Sequence, residues 1–162
     1  MSNDGGHKLA MFAAGCFWGV EEAFRQLPGV VQTEVGYSGG HVENPGYERV
    51  CSDTTGHAEV VRVEYDPERI SYGQLLYVFW QSHDPTQLNR QGPDVGSQYR
   101  SAVFYYDDRQ EEEATRAKQL LQNSGRYDRP VVTEITSVSP FYRAEEYHQR
   151  YLQKRGQSFC HI

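Results

Sequence analysis

The residue best placed for chemistry is Cys16, set between two glycines in Gly15-Cys16-Phe17-Trp18-Gly19 with two aromatics directly behind it. A cysteine thiolate is a nucleophile and a redox centre, and its reactivity depends on its surroundings. The apolar run Lys8-Leu9-Ala10-Met11-Phe12-Ala13-Ala14 before it has strand length. After it, Cys16, Val20, Ala23 and Leu27 recur at helical spacing, flanked by Phe17 and Phe24, until Pro28-Gly29 ends the pattern. Cys16 is therefore expected where a strand turns into a helix, where unpaired N–H groups and the helix dipole favour a thiolate. A buried, inert cysteine on an amphipathic helix would show the same pattern, and this stretch alone does not separate the two.

The other candidate groups are scattered. Three cysteines, Cys16, Cys51 and Cys160, cannot all pair within one chain. Their spacing contains no C-x-x-C pair and resembles no zinc ribbon, so they read as inert or redox thiols and no metal is expected. Glu59 falls in the run His57 to Tyr65, where it shares a strand face with Val61, Val63 and Tyr65, opposite Arg62. Taken alone, a carboxyl on that apolar side reads as half of a structural ion pair with a basic residue. Twelve tyrosines are present, several close to polar loops, and most must serve packing.

The elements that must position these groups follow in order. Val30 to Tyr37 reads as a strand and runs into a glycine- and proline-rich loop reaching Tyr47, with irregular chain from Cys51 to Gly56. Ser71-Tyr72-Gly73-Gln74 matches a capping box opening a helix through Trp80. His83 to Gln98 is a long polar loop, which in a small domain is a functional signal. Tyr99 to Tyr106 reads as a strand, and Asp107-Asp108 caps a helix that ends at Gly125. Val131 to Ile135 reads as a last strand, and Ala144 to Arg155 as a polar helix with Tyr147 and Tyr151 one turn apart. The order βαββαβαβα implies an α+β fold: a two-layer sandwich of helices on a mixed sheet with a ferredoxin-like core. One catalytic domain is expected over 1–162, with a folded core at 8–155 and a mobile tail at 156–162.

The 162 residues suffice for a real core, and 13% aromatic content offsets a hydrophobic content of 38%. A net charge of −6 without a basic cluster argues against nucleic acid and anionic membranes as partners. Met1 to Lys8 is polar, without a signal core, and no stretch approaches the ~20 apolar residues of a membrane span. A soluble cytoplasmic protein, acting as a monomer, is expected.

Taken together, several separated blocks resemble the A-type peptide methionine sulfoxide reductases, which restore oxidised methionine. They are Gly15-Cys16-Phe17-Trp18-Gly19, Gly36-Tyr37-Ser38-Gly39-Gly40, Cys51-Ser52 with Thr55-Gly56-His57-Ala58-Glu59, Asp94 to Ser101, and Tyr147-His148-Gln149 leading to Tyr151-Leu152. The likeness runs from about Lys8 to Cys160.

The resemblance implies reduction of methionine S-sulfoxide, free or in oxidised proteins, as repair after oxidative stress. Cys16 would be the nucleophile. Glu59 would protonate the sulfoxide oxygen, aided by the hydroxyls of Tyr47 and Tyr99, and burial should keep Glu59 protonated near neutrality. Phe17 and Trp18 match a pocket for the substrate methyl group, Asp94 a carboxylate that orients the site, and Tyr151 a tyrosine facing it. His148 reads as a packing residue. Turnover would leave Cys16 as a sulfenic acid, resolved by Cys160 from the tail to give a Cys16–Cys160 disulfide recycled by thioredoxin, with no bound cofactor. Cys51 would be a bystander. Two features depart from the pattern: only one distal cysteine is present, and Asp53 and Gly46 stand where relatives usually carry glycine and a polar residue. A cysteine hydrolase with His57 or His148 as base, or a non-catalytic groove for oxidised peptides, are the competing readings.

Overall fold

The computed structural model describes residues 6–156. The apolar run before Cys16 forms β1 (Lys8–Ala14), and the helical pattern after it forms α1 (Phe17–Arg25). There follow β2 (Val30–Ser38), α2 (Tyr47–Cys51), β3 (Ala58–Tyr65) and α3 (Tyr72–Gln81). A small hairpin, β4 (Arg90–Gln91) with β5 (Asp94–Val95), precedes a 3-10 turn at Ser97–Tyr99 and then β6 (Ser101–Tyr105). The chain ends with α4 (Asp108–Asn123), β7 (Glu134–Ser137), β8 (Tyr142–Arg143), a second 3-10 turn at Glu146–His148, and α5 (Tyr151–Lys154).

The main sheet has the order β7-β6-β1-β3-β2-β8. Among the described residues, only the β6–β7 pair is parallel, so the sheet is mixed as expected. Its inner strands β6-β1-β3-β2, crossed over by α1 and α3, give the ferredoxin-like arrangement. Alternation along the strands sends residues to two faces. Ala10, Phe12, Val61, Val63 and Tyr65 pack against Phe17, Val20 and Phe24 of α1, Leu75 and Phe79 of α3, and Ala114 of α4. Phe12 lies at the centre, its ring 5.1 Å from Phe24 and 5.2 Å from Phe79. The opposite face, with Met11, Ala13, Ala58, Val60, Ala102 and Phe104, is covered by Tyr106, Val138 and Phe141.

Local signals hold where short-range chemistry decides. Both arms of the Ser71–Gln74 capping box form, and Asp107 caps α4 by accepting the Gln110 N–H at 2.8 Å. Four expectations need correction where longer-range bonds win. The segment expected as one helix over 144–155 is broken into the second 3-10 turn and α5. Gln149 turns inward to bond the backbone of β2, and Arg150 takes a left-handed conformation at φ 51° while its N–H donates to Glu21. The last strand sits at Glu134–Ser137, because Ala102 to Tyr105 pair with those residues while the Val132 N–H is taken by Pro85 O. The strand expected from Tyr99 starts at Ser101, after the 3-10 turn. Tyr47 opens a short helix rather than lying in a loop.

Candidate active site

Gly15 makes the junction that presents Cys16. Its φ of +97° turns the chain out of β1, and a Cβ there would meet the Gln91 side chain at 2.9 Å. Cys16 is thereby left half-buried as the N-cap of α1, with the helix axis running away from it.

The next backbone N–H, that of Phe17, donates to Glu59 Oε1 at 3.2 Å. Glu59 reaches this point because β3 is central in the sheet, and it is 2% exposed, so the apolar-face placement is borne out. Its other oxygen, Oε2, accepts from Gln98 Nε2 at 2.9 Å. The nucleophile candidate and the acid candidate thus share one strand-to-helix junction.

Two tyrosine hydroxyls feel the charge of the carboxyl. Burial is the main cause that pushes the Tyr47 phenol up, and its bond to Cys51 and the charge of Glu59 add to this. Burial likewise pushes Tyr99 up, followed by the negative charges of Glu59, Asp94, Cys51 and Cys16. Both phenols therefore stay protonated and act as hydrogen-bond donors. Asp94, half-buried on the hairpin strand β5, is brought in through its effect on Tyr99.

The opposite wall is aromatic. Trp18 stacks flat on Tyr151, with ring centres 3.7 Å apart and planes 7° apart. Its Nε1–H donates to His148 Nδ1 at 2.9 Å. Phe17 is buried behind them, 5.2 Å from His148 and 5.7 Å from Tyr37. Trp18, Tyr47, Tyr147, His148 and Tyr151 line a cleft of about 560 Å³, together with Lys154 and Arg155. Accepting from Trp18 obliges His148 to be neutral, and burial, opposed by the charge of Glu145, holds it below the usual histidine range. Glu145 braces the wall by accepting the Tyr47 N–H and the Tyr37 hydroxyl, each at 3.0 Å.

Sequence reasoning missed Gln98 and Glu145 as parts of this arrangement, and read His148 as a packing residue without its bond to Trp18. Gln98 stood in plain view beside Tyr99, but nothing in a polar loop tells which side chain turns inward. Cys51, expected as a bystander, lies 3.5 Å from Gln98 Nε2. Cys160 lies outside the described residues.

Among the described residues, the two histidines weighed as a hydrolase base are engaged elsewhere. His57 is 2% exposed and far from free: its Nδ1 accepts the Gly40 N–H at 3.0 Å, and its Nε2 meets Val42 O at 2.6 Å. His148 Nδ1 is occupied by Trp18. Among the described residues, no group of three or more His, Cys, Asp or Glu could hold a metal ion, and no helix is long and apolar enough to cross a membrane.

Comparison with known proteins places the chain in a family. The family model described as Peptide methionine sulfoxide reductase matches residues 8–162. The chain is 61% identical over 151 residues to "Peptide methionine sulfoxide reductase MsrA" of Methanosarcina mazei, covering 93% of this chain and 72% of that one. Its fold is similar to the reduced form of Mxr1 from Saccharomyces cerevisiae, with a TM-score of 0.90 and 37% identity over 99% of this chain and 92% of that one. It is also similar to Mxr1 solved in complex with Trx2, with a TM-score of 0.65 and 26% identity over 93% and 88% of the two chains. The chain belongs to the peptide methionine sulfoxide reductase family and is an oxidoreductase.

Proposed function

We propose that Cys16 is the nucleophile with which this enzyme reduces methionine S-sulfoxide, free or in proteins, and that Glu59 is its acid. The observation that carries the reading is the Phe17 N–H bond to Glu59, which fixes a buried carboxyl one residue from the sulfur. The N-terminal end of α1 favours negative charge at that point. The Cys16 thiolate attacks the sulfoxide sulfur while a proton passes from Glu59 to the oxygen, with Tyr47 and Tyr99 donating hydrogen bonds as charge builds there. Trp18, backed by Phe17 and stacked on Tyr151, supplies an apolar wall for the substrate methyl group, and Asp94 orients Tyr99.

Methionine leaves and Cys16 becomes a sulfenic acid. The Cys160 thiol then attacks the Cys16 sulfur, releasing water and forming a disulfide. An external dithiol reduces it, and the solved complex of the yeast relative with Trx2 supports thioredoxin in that part. The chain works as one catalytic domain and as a cytoplasmic monomer in this reading.

One equivalent of methionine sulfoxide, followed by peptide mapping, tests the scheme. A protein lighter by two hydrogens with Cys16 joined to Cys160 is expected. Cys16→Ser should abolish turnover, whereas Cys160→Ser should keep the first turnover and lose cycling on thioredoxin. Consumption of the R epimer alone would overturn the substrate assignment.

A further inference from the structure

Gln98 is 3% exposed in the 3-10 turn ahead of β6, and its Nε2 donates in two directions. One bond goes to Glu59 Oε2 at 2.9 Å and the other to Cys51 Sγ at 3.5 Å. An acid that must carry a proton before a reaction and lose it during the reaction needs surroundings that suit both states. A donor N–H favours the carboxylate, and an acceptor favours the carboxylic acid. The Phe17 N–H on Glu59 Oε1 is a backbone donor and cannot change its sense. A carboxamide can: a half-turn about its broad terminal torsion exchanges oxygen and nitrogen in nearly the same volume.

We propose that Gln98 is a positioning residue whose carboxamide turns over with the protonation state of Glu59. Its Oε1 accepts the Glu59 O–H before the proton leaves, and its Nε2–H supports the carboxylate afterwards. Cys51 fits both orientations, since a thiol is a weak acceptor for N–H and a weak donor to C=O. The inference rests on Glu59 being the proton donor: its O–H bond breaks, an O–H bond forms on the sulfoxide oxygen, and Gln98 exchanges no atoms. Among the groups whose electrostatics involve Glu59 are Tyr37 from β2, Tyr47 from α2 and Tyr99 from the turn that carries Gln98, while Cys51 from α2 meets Gln98 and Cys16 at the head of α1 acts on Tyr99. The three phenols are all pushed up by burial and stay neutral through the working range.

The experiment is the pH profile of the first turnover with methionine sulfoxide, read together with the infrared carboxyl band of Glu59. In the wild type the rate falls on the alkaline side as that band disappears, and Glu59→Gln removes both the limb and the band. Gln98→Met should move the limb and the band upward by roughly one pH unit, because the lost donor served the charged state more strongly than the lost acceptor served the neutral one. Gln98→Asn, which withdraws the carboxamide by one methylene, should shift both in the same direction by less, and it carries the test should Gln98→Met not fold. A slower rate with an unmoved midpoint in both variants assigns Gln98 to packing alone and overturns the proposal. An alkaline limb that survives Glu59→Gln overturns the Glu59 reading itself, and with it this one.

Discussion

The two walls of the site are held in different ways. The acid wall rests on the sheet: Cys16 and Phe17 follow β1, Glu59 lies on its neighbour β3, and Gln98 precedes β6, which flanks β1 on the other side. The aromatic wall takes Trp18 from α1 but His148 and Tyr151 from the last described stretch, 142–156, which has a two-residue strand, a 3-10 turn and one turn of helix. Side chains stand in for a ladder there. The Gln149 carboxamide accepts the Val35 N–H at 2.9 Å and donates to Val35 O at 3.0 Å and Ala144 O at 2.9 Å, as a peptide group would. Glu21 takes the Arg150 N–H at 2.7 Å and the Thr33 hydroxyl at 2.7 Å. Cys16 and Glu59 are thus fixed by a backbone ladder, while the His148 and Tyr151 rings hang from a few buried polar side chains.

Each wall also has a neutral histidine beside it, His148 buried and His83 half-buried, so acid titrates both. His83, behind the acid wall, donates from Nδ1 to Phe79 O at 2.8 Å, and its Nε2 accepts the Ser101 hydroxyl at 2.7 Å. Burial pushes it down from 6.5 to about 4. The unfolded chain therefore binds a proton between those values that the folded chain refuses, so stability falls as pH falls through that window. The expected contribution is roughly 3 kcal/mol, complete near pH 4. Urea midpoints measured from pH 7 to 4 should fall less steeply in His83→Gln than in the wild type. Equal slopes would assign the acid sensitivity to the aromatic wall, through His148.

The bracket on the aromatic wall gives the next largest effect. Gln149→Leu fills the space but leaves the buried Val35 N–H without its side-chain acceptor, at about 2 kcal/mol. Thermal unfolding should report that loss. The comparison predicts more, namely that hydrogen exchange rises along 142–156 while β1 and β3 keep their protection. Uniform loss across the sheet would show that the two walls unfold as one unit.

The same division explains what could be read from the sequence. The acid wall was legible because its signals are periodic: alternation placed Glu59 on the apolar face of β3, and the strand-to-helix change of period located Cys16. The aromatic wall was legible only in its residue types. Tyr147 and Tyr151 at helical spacing suggested one face of a helix, yet Tyr147 is exposed and Tyr151 stacks on Trp18. The cause is Gln149, whose fully buried carboxamide outweighs a helical turn by bonding β2, more than a hundred residues away. No local pattern marks such a residue, and the same holds for Gln98 in its polar loop.

The smallest effect sharpens the comparison most, because it separates positioning of the substrate from the chemical step. Trp18→Phe keeps an aromatic face over Tyr151 but removes the Nε1–H that satisfies the buried His148 Nδ1. The orphaned acceptor costs about 1 kcal/mol, and the unpinned ring should raise KM about fivefold. Cys16, Phe17 N–H and Glu59 are held by the sheet and untouched, so the first-turnover rate at saturating substrate should stay within about twofold of the wild type. His148→Phe, which removes the acceptor and leaves the Trp18 N–H without it, should reproduce the rise in KM. It should also abolish any further rise as pH falls, since the neutral imidazole that accepts from Trp18 is what acid destroys. A first-turnover rate that drops with KM in Trp18→Phe would instead mean that the two walls position the sulfoxide jointly, and that the aromatic wall takes part in the attack.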